Sequence, residues 1–320
     1  MLHLNLRAVC TVVAVFGALS CSAGRTAATG DPTVGGSGGS AGSLPTGGLG
    51  GSMSTGKGGD GGIDLSVSSG TGAAGPGDCD NDTKGSVYIL GQDKQFARFA
   101  PQTQDLTVLG TLNCPGEEFN TTFSMSVDRK GRAWVLFANG VIYHVDTKTL
   151  NCTPTGFLPC QSGFCTFGMG FVSDAAGSDM ETLYVSGAYN QPGASGLATI
   201  DQTTLTLTPI ADYDVLAGKA AELTGTGDAR LFGYFQDVPI RLAEINKADA
   251  KVITYSDLTQ IPSGLSWAFA FWGGSFYIMS GTGIYKYEPT SQITTPINTN
   301  VGFDIVGAGV STCAPTEEPK

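Results

Sequence analysis

The chain has 320 residues, room for one large or two ordinary domains, but its 47 Gly crowd the N-terminal quarter. The part able to build a core therefore begins near Cys79. Asp and Glu number 28 against 17 Lys and Arg, a formal net charge of −11, and no basic run is present to follow a phosphate backbone, which argues against nucleic acid as a partner.

Residues 1–20 read as a signal peptide: Arg7 closes a short polar start, Ala8 to Leu19 is apolar but too short to span a bilayer, and small residues follow. The segment Ala18-Leu19-Ser20-Cys21 resembles the lipobox of bacterial lipoproteins. That resemblance implies a diacylglyceryl group on Cys21, anchorage to a membrane, and, with Ser22 rather than Asp next in the chain, an outer-membrane or cell-surface location. The alternative is plain cleavage and release to the periplasm or medium.

From Thr26 to Asp78 the chain is Gly, Ser, Thr and Ala with few large apolar side chains. It cannot bury enough surface to offset its ordering entropy, so residues 21–78 are expected to be a disordered tether, with an r.m.s. reach of roughly 40 Å. Asp78, Asp80 and Asp82 alternate in a way that suits one calcium ion, yet Thr83 stands where a calcium loop needs Gly, and no bidentate Glu follows. A polar linker before the first strand is the expectation there, and no metal or cofactor is expected.

After Cys79 short β-type runs alternate with Gly, Asn, Asp and Pro. One strand type recurs five times, at Ser86 to Gly91, Arg132 to Phe137, Thr182 to Gly187, Arg230 to Phe235 and Ser275 to Ser280. Each carries an aromatic at its third place: Tyr88, Trp134, Tyr184, Phe232 and Tyr277, spaced by 46, 50, 48 and 45 residues. That is the period of a propeller blade. A second type follows at Phe96 to Ala100, Val141 to Asp146, Leu197 to Asp201, Arg241 to Asn246 and Ile284 to Glu288. A third lies at Leu106 to Leu109, Thr153 to Phe157, Leu205 to Ile210, Lys251 to Tyr255 and Ile293 to Ile297.

The fourth type precedes the first, at Phe123 to Val127, Phe167 to Phe171, Leu223 to Gly227, Trp267 to Phe271 and Ile305 to Gly309. These runs alternate large with small residues, which suits the innermost strand of a blade where sheets converge. The first repeat lacks an inner strand and the last inner strand lacks a repeat, so Ile305 to Gly309 is expected to complete the first blade and close the ring. The expected fold is all-β: a five-bladed propeller of four-stranded antiparallel blades over residues 79–313, with 314–320 a disordered tail.

Setting aside Cys10 and Cys21 leaves six cysteines, an even set that reads as three disulfides in an oxidising compartment. Cys79 and Cys313 flank the strands that meet at closure and are expected to bond, at a stabilisation on the order of 5 kcal/mol. Cys160 and Cys165 fall in one loop between blades, and Cys114 and Cys152 remain as the third pair.

Met125 to Val135, continuing to Lys148, carries a strand, an Asp-x-x-Gly hairpin, an aromatic strand and a Gly turn. It resembles the repeat of NHL-type and related propellers. Together with the tether and lipobox, the whole chain resembles uncharacterised surface lipoproteins of myxobacteria, a likeness that implies location and fold but no activity.

Linear catalytic signatures are absent. His144, the one histidine of the mature chain, sits within a strand and is expected to be structural. Gly225-Thr226-Gly227 and Gly281-Thr282-Gly283 have no Lys-Ser/Thr pair behind them, so they read as turns or tight strands. Ligand contacts in propellers come from loops at one face. There the connections between first-type and second-type strands, grouped with the inter-blade loops, contribute Asp93, Asn139, Tyr189, Asn190, Gln191, Gln236 and Asp237. Tyr189-Asn190-Gln191 offers an aromatic beside amides, a platform for a sugar or peptide. The expectation is a monomeric binding or scaffold module engaging a glycan or a surface protein. The alternative is an extracytoplasmic enzyme, a lyase, lactonase or hydrolase, with residues converging on the channel mouth.

Overall fold

A computed structural model of the chain describes residues 62–65, 79–187 and 195–320. The leader, Cys21 and the triplet Tyr189, Asn190 and Gln191 lie outside the described residues. The described part folds into five antiparallel sheets. The first holds β1 (Val87–Gly91), β2 (Gln95–Ala100) and β3 (Asp105–Thr111), and the second β4 (Thr122–Val127), β5 (Arg132–Phe137), β6 (Ile142–Asp146) and β7 (Cys152–Pro154). The third holds β8 (Phe167–Ser173), β9 (Glu181–Gly187), β10 (Leu197–Ile200) and β11 (Leu207–Ala211). The fourth holds β12 (Glu222–Gly225), β13 (Leu231–Phe235), β14 (Arg241–Ile245) and β15 (Val252–Asp257). The fifth holds β16 (Trp267–Trp272), β17 (Ser275–Ser280), β18 (Gly283–Glu288) and β19 (Ile293–Asn298).

The final strand, β20 (Ile305–Gly309), returns to β1 and pairs antiparallel with it, Tyr88 opposite Gly309 and Leu90 opposite Gly307. In every sheet the strands lie side by side in chain order, the last one excepted. The inner strands then touch in a closed circle, β20 to β4 to β8 to β12 to β16 and back to β20. The protein is a five-bladed β-propeller.

Its repeat has a physical cause in the seams between blades. Apolar side chains gather in five clusters, one per seam, and each third-place aromatic belongs to a different one. Tyr88 enters the seam between the first and second blades, Trp134 the next, then Tyr184, Phe232 and finally Tyr277, which meets Phe99 of the first blade with ring centroids 5.4 Å apart. One large ring per blade fills the wedge that opens away from the axis.

Near the axis the wedge narrows and small residues take over. A Cβ on Gly168 would lie 2.1 Å from the Ala221 carbonyl oxygen, and one on Gly307 would lie 2.9 Å from the Met125 nitrogen. The inner edges also need partners for their backbone N–H groups. Phe171 N–H donates to Ser126 Oγ at 3.0 Å, and Phe271 N–H to Thr224 Oγ1 at 3.1 Å, each bond crossing from one blade to the next.

The bridges are Cys79–Cys313 across the closure, Cys114–Cys152 and Cys160–Cys165. Local details differ from the sequence expectation. Residues 79–85 are not simply a linker, because Asp80 caps a short helix, α1 (Asn81–Lys84), by accepting from Asp82 N–H at 2.9 Å. The carboxylates of Asp80 and Asp82 both meet Lys148 Nζ at 2.9 Å. The outer strand β7 stops at Pro154, whose ring nitrogen carries no hydrogen for the ladder, so the expected run to Phe157 is cut short.

Candidate functional site at the channel mouth

All five inner strands start at one end of the axis, and among the described residues the loops after the first-type strands lie at that same end. Two cavities adjoin there. One, of about 180 Å³, is lined by Phe123, Thr166, Gly168, Ala221 and Glu222 together with Ala220 and Trp267. The other, of about 210 Å³, is lined by Gln236 and Asp237 together with the same Ala220 and Trp267. The shared residues make them one cleft, with the half-buried Trp267 lining both halves. Trp267 is the first residue of β16, paired with Ser280, so a strand rather than a loop fixes the position of its backbone. Val238 and Leu265, close by in sequence, are 85% and 102% exposed.

Gln236 donates through Nε2 to the Gly264 carbonyl at 3.0 Å, while its Oε1 is buried with no hydrogen-bond partner. An unsatisfied buried acceptor of this kind is costly. Asp237 forms an ion pair with Lys219 at 3.2 Å. At the base, Glu222 accepts from Ser124 Oγ at 2.9 Å and from the Met169 backbone N–H, joining three inner strands. Burial pushes its carboxyl well above the usual carboxylate range.

The sequence-derived candidates divide. Gln236 and Asp237 reach the cleft, whereas Asp93 is an exposed turn residue and Asn139 is spent on Glu117. Glu117 is 4% exposed and accepts from both Asn139 Nδ2, at 3.0 Å, and Asn120 Nδ2, at 2.8 Å, which holds the loop between the first two blades. Trp267, Phe123 and Glu222 are the residues that sequence reasoning missed as site members. Their signal was available: an acid or an incompletely covered aromatic at or beside the start of an inner strand faces the open end of the ring.

His144 packs edge-on against Trp134 with ring centroids 4.3 Å apart, and its Nε2 is buried without a partner. Burial, aided by nearby Arg132, lowers its pKa to about 4, so the ring is neutral near pH 7. Among the described residues no three His, Cys, Asp or Glu side chains converge as a metal site would require.

Past the far ends of the inner strands lies a second polar cluster. Glu181 accepts from Arg129 N–H and from Thr312 Oγ1, each at 2.8 Å, tying the third blade to the second and to the tail. The buried Arg129 guanidinium reaches Thr312 Oγ1 and Asp179 Oδ1, each at 3.4 Å. Burial raises the Glu181 carboxyl to about 7 despite these donors.

No protein-family model matches the chain, and no curated protein matches it. Solved structures do resemble it. A chain of a nidogen/laminin complex aligns at 10% identity over 72% of this chain and 99% of its own length, with a TM-score of 0.47. A protein of unknown function from Bacteroides thetaiotaomicron aligns at 12% identity over 69% of this chain and 60% of its own, with a TM-score of 0.44. A dihydro-heme d1 dehydrogenase aligns at 12% identity over 70% of this chain and 45% of its own, with a TM-score of 0.33.

Proposed function

We propose that this propeller is an exported binding module that holds a glycan at the channel mouth. The observation that carries the reading is the half-buried Trp267, fixed by a strand and lining both of the joined cavities, with Gln236 and Asp237 beside it. An apolar ring face suits the C–H face of a sugar ring, and a few fixed polar groups beside it suit its hydroxyls. Asp237 and Lys219 add charged hydrogen-bonding groups at the rim. Export fits the three disulfides, which persist in oxidising compartments. The leader and Ala18-Leu19-Ser20-Cys21 support a lipid anchor at Cys21 and display at the outer membrane or cell surface. Among the described residues no helix is long and apolar enough to cross a membrane.

A glycan array probed with the mature chain tests this. The wild type is expected to select one glycan class, and Trp267→Ala to lose that binding by roughly 30-fold, the size of a central aromatic anchor. Binding unchanged in Trp267→Ala would remove the cleft as the site. Capture of a surface protein, abolished by the same variant, would replace the glycan as ligand.

Glu222 favours a second reading, an extracytoplasmic enzyme of the lyase, lactonase or hydrolase kind, because a buried acid beside a cleft, its carboxyl pushed above the usual carboxylate range by burial, is suited to donate a proton. Both its hydrogen bonds go to the scaffold itself, to Ser124 and Met169, which is the pattern of a cross-link between blades. Glu222→Gln separates the two. A cross-linking role keeps ligand binding and fold intact, and turnover lost without loss of binding would establish the enzyme.

A further inference from the structure

Residues 62–65, although part of the Gly/Ser-rich segment, lie against the seam between the fourth and fifth blades. Ile63 is 2% exposed and belongs to the cluster formed by Leu258, Ile261 and Tyr287, and Leu65 packs against the same cluster. Asp64 falls between them and is exposed, so the segment presents alternate side chains to the groove. Two hydrogen bonds fix the backbone. Ile63 N–H donates to Ser256 Oγ at 3.3 Å, and Arg230 Nη2 donates to the Asp64 carbonyl at 2.8 Å. Arg230 is in turn held by the Glu244 carboxylate at 2.9 and 2.7 Å.

In sequence the segment stands out too. Between Thr26 and Asp78 the triplet of alternate apolar residues Ile63, Leu65 and Val67 occurs nowhere else. A linker that needs only to be flexible has no use for it. The groove is also built to receive a chain: Ser256 and Arg230 offer one acceptor and one donor to a backbone, and the seam supplies the apolar hole.

We propose that Gly62–Leu65 is a docking motif and that the groove between the fourth and fifth blades is its recognition site, filled in cis by the chain's own tether. The clip gives the propeller a second fixed attachment besides Cys79. Only residues 66–78 separate the motif from Cys79, so its effective concentration at the groove exceeds that of a neighbouring molecule.

Hydrogen exchange on the full mature chain tests this. In the wild type the amide of Ile63 is expected to exchange at least roughly tenfold more slowly than the flanking Gly/Ser amides, a difference lost in Ile63→Asp while exchange in β4 and β16 stays unchanged. A synthetic peptide spanning residues 59–68 should protect the β15 segment of Ile63→Asp and leave the wild type unaffected. Should Ile63→Asp disturb the blades themselves, Ser256→Ala supplies a milder version, with faster Ile63 exchange on an unchanged core. Wild-type residues 62–65 exchanging like free peptide would overturn the docking. Cross-links between isotopically distinct copies at this groove would overturn its occupation in cis.

Discussion

Burial shifts Glu181 and His144 in opposite senses, and the two set opposing slopes on the stability of the ring. Glu181 has a folded pKa of about 7 against an ordinary value of 4.5, so the native state holds its proton more tightly than the unfolded chain does. Its charge brings no penalty below pH 4.5, and stability falls as pH rises through 7. His144, with a folded pKa of about 4 against 6.5, resists protonation, and stability falls as pH drops below 6.5. Glu181→Gln keeps an acceptor for Arg129 N–H and an amide able to bond Thr312. It is therefore expected to gain melting temperature relative to wild type on going from pH 5 to pH 8, and parallel pH curves for the two proteins would count against this account. The sequence showed residue roles unevenly. Gln236 and Asp237 were legible as mouth residues because their connection follows a recognisable strand. Asn139 sat in the equivalent connection but was claimed by Glu117, and no local pattern reveals which polar side chain a neighbouring loop will consume.

At the level of strands, the alternation of large and small residues marked the inner edge of each blade, and the coordinates supply its cause. Gly168 faces backbone atoms of the next blade, which cannot rotate away as a side chain would. Gly168→Ala is expected to destabilise by about 1 to 3 kcal/mol, measured by denaturant unfolding, as overpacked cores do. A cost near zero would mean that the inner strands separate more easily than this packing implies. Breaking the closing bridge with Cys79→Ser and Cys313→Ser together should lower stability by about 2 to 5 kcal/mol in the same assay. The pairing of Cys114 with Cys152 was reached only by elimination, once the other four cysteines were assigned. The short helix α1 and the early end of β7 were not read, since one turn of helix has no periodicity and Pro154 acts on a single ladder bond.

For the whole molecule, the five-fold pattern was visible because each blade must place one large ring in the next seam, and this requirement repeats along the chain. Contacts joining distant places left no such trace. Arg129 to Glu181, Thr312 to Glu181 and Ile63 to Ser256 span 52, 131 and 193 residues, so neither the polar knot beside the closure nor the docked linker can be seen in any window of sequence. Removing residues 305–320 takes away the partner of β1 and bares its hydrogen-bonding edge. That truncated chain is expected to elute as aggregate in size-exclusion chromatography, whereas the Cys79→Ser, Cys313→Ser variant should remain a folded monomer.

The pairing of β20 with β1 also orders events in time. The first blade in chain order is the last to be finished, because its fourth strand, β20, follows the other four blades in sequence. Until then the edge of β1 lies unpaired and Cys79 lacks its partner Cys313. Any copy that is clipped or abandoned before that moment is left visibly unfinished, so the architecture inspects its own completeness.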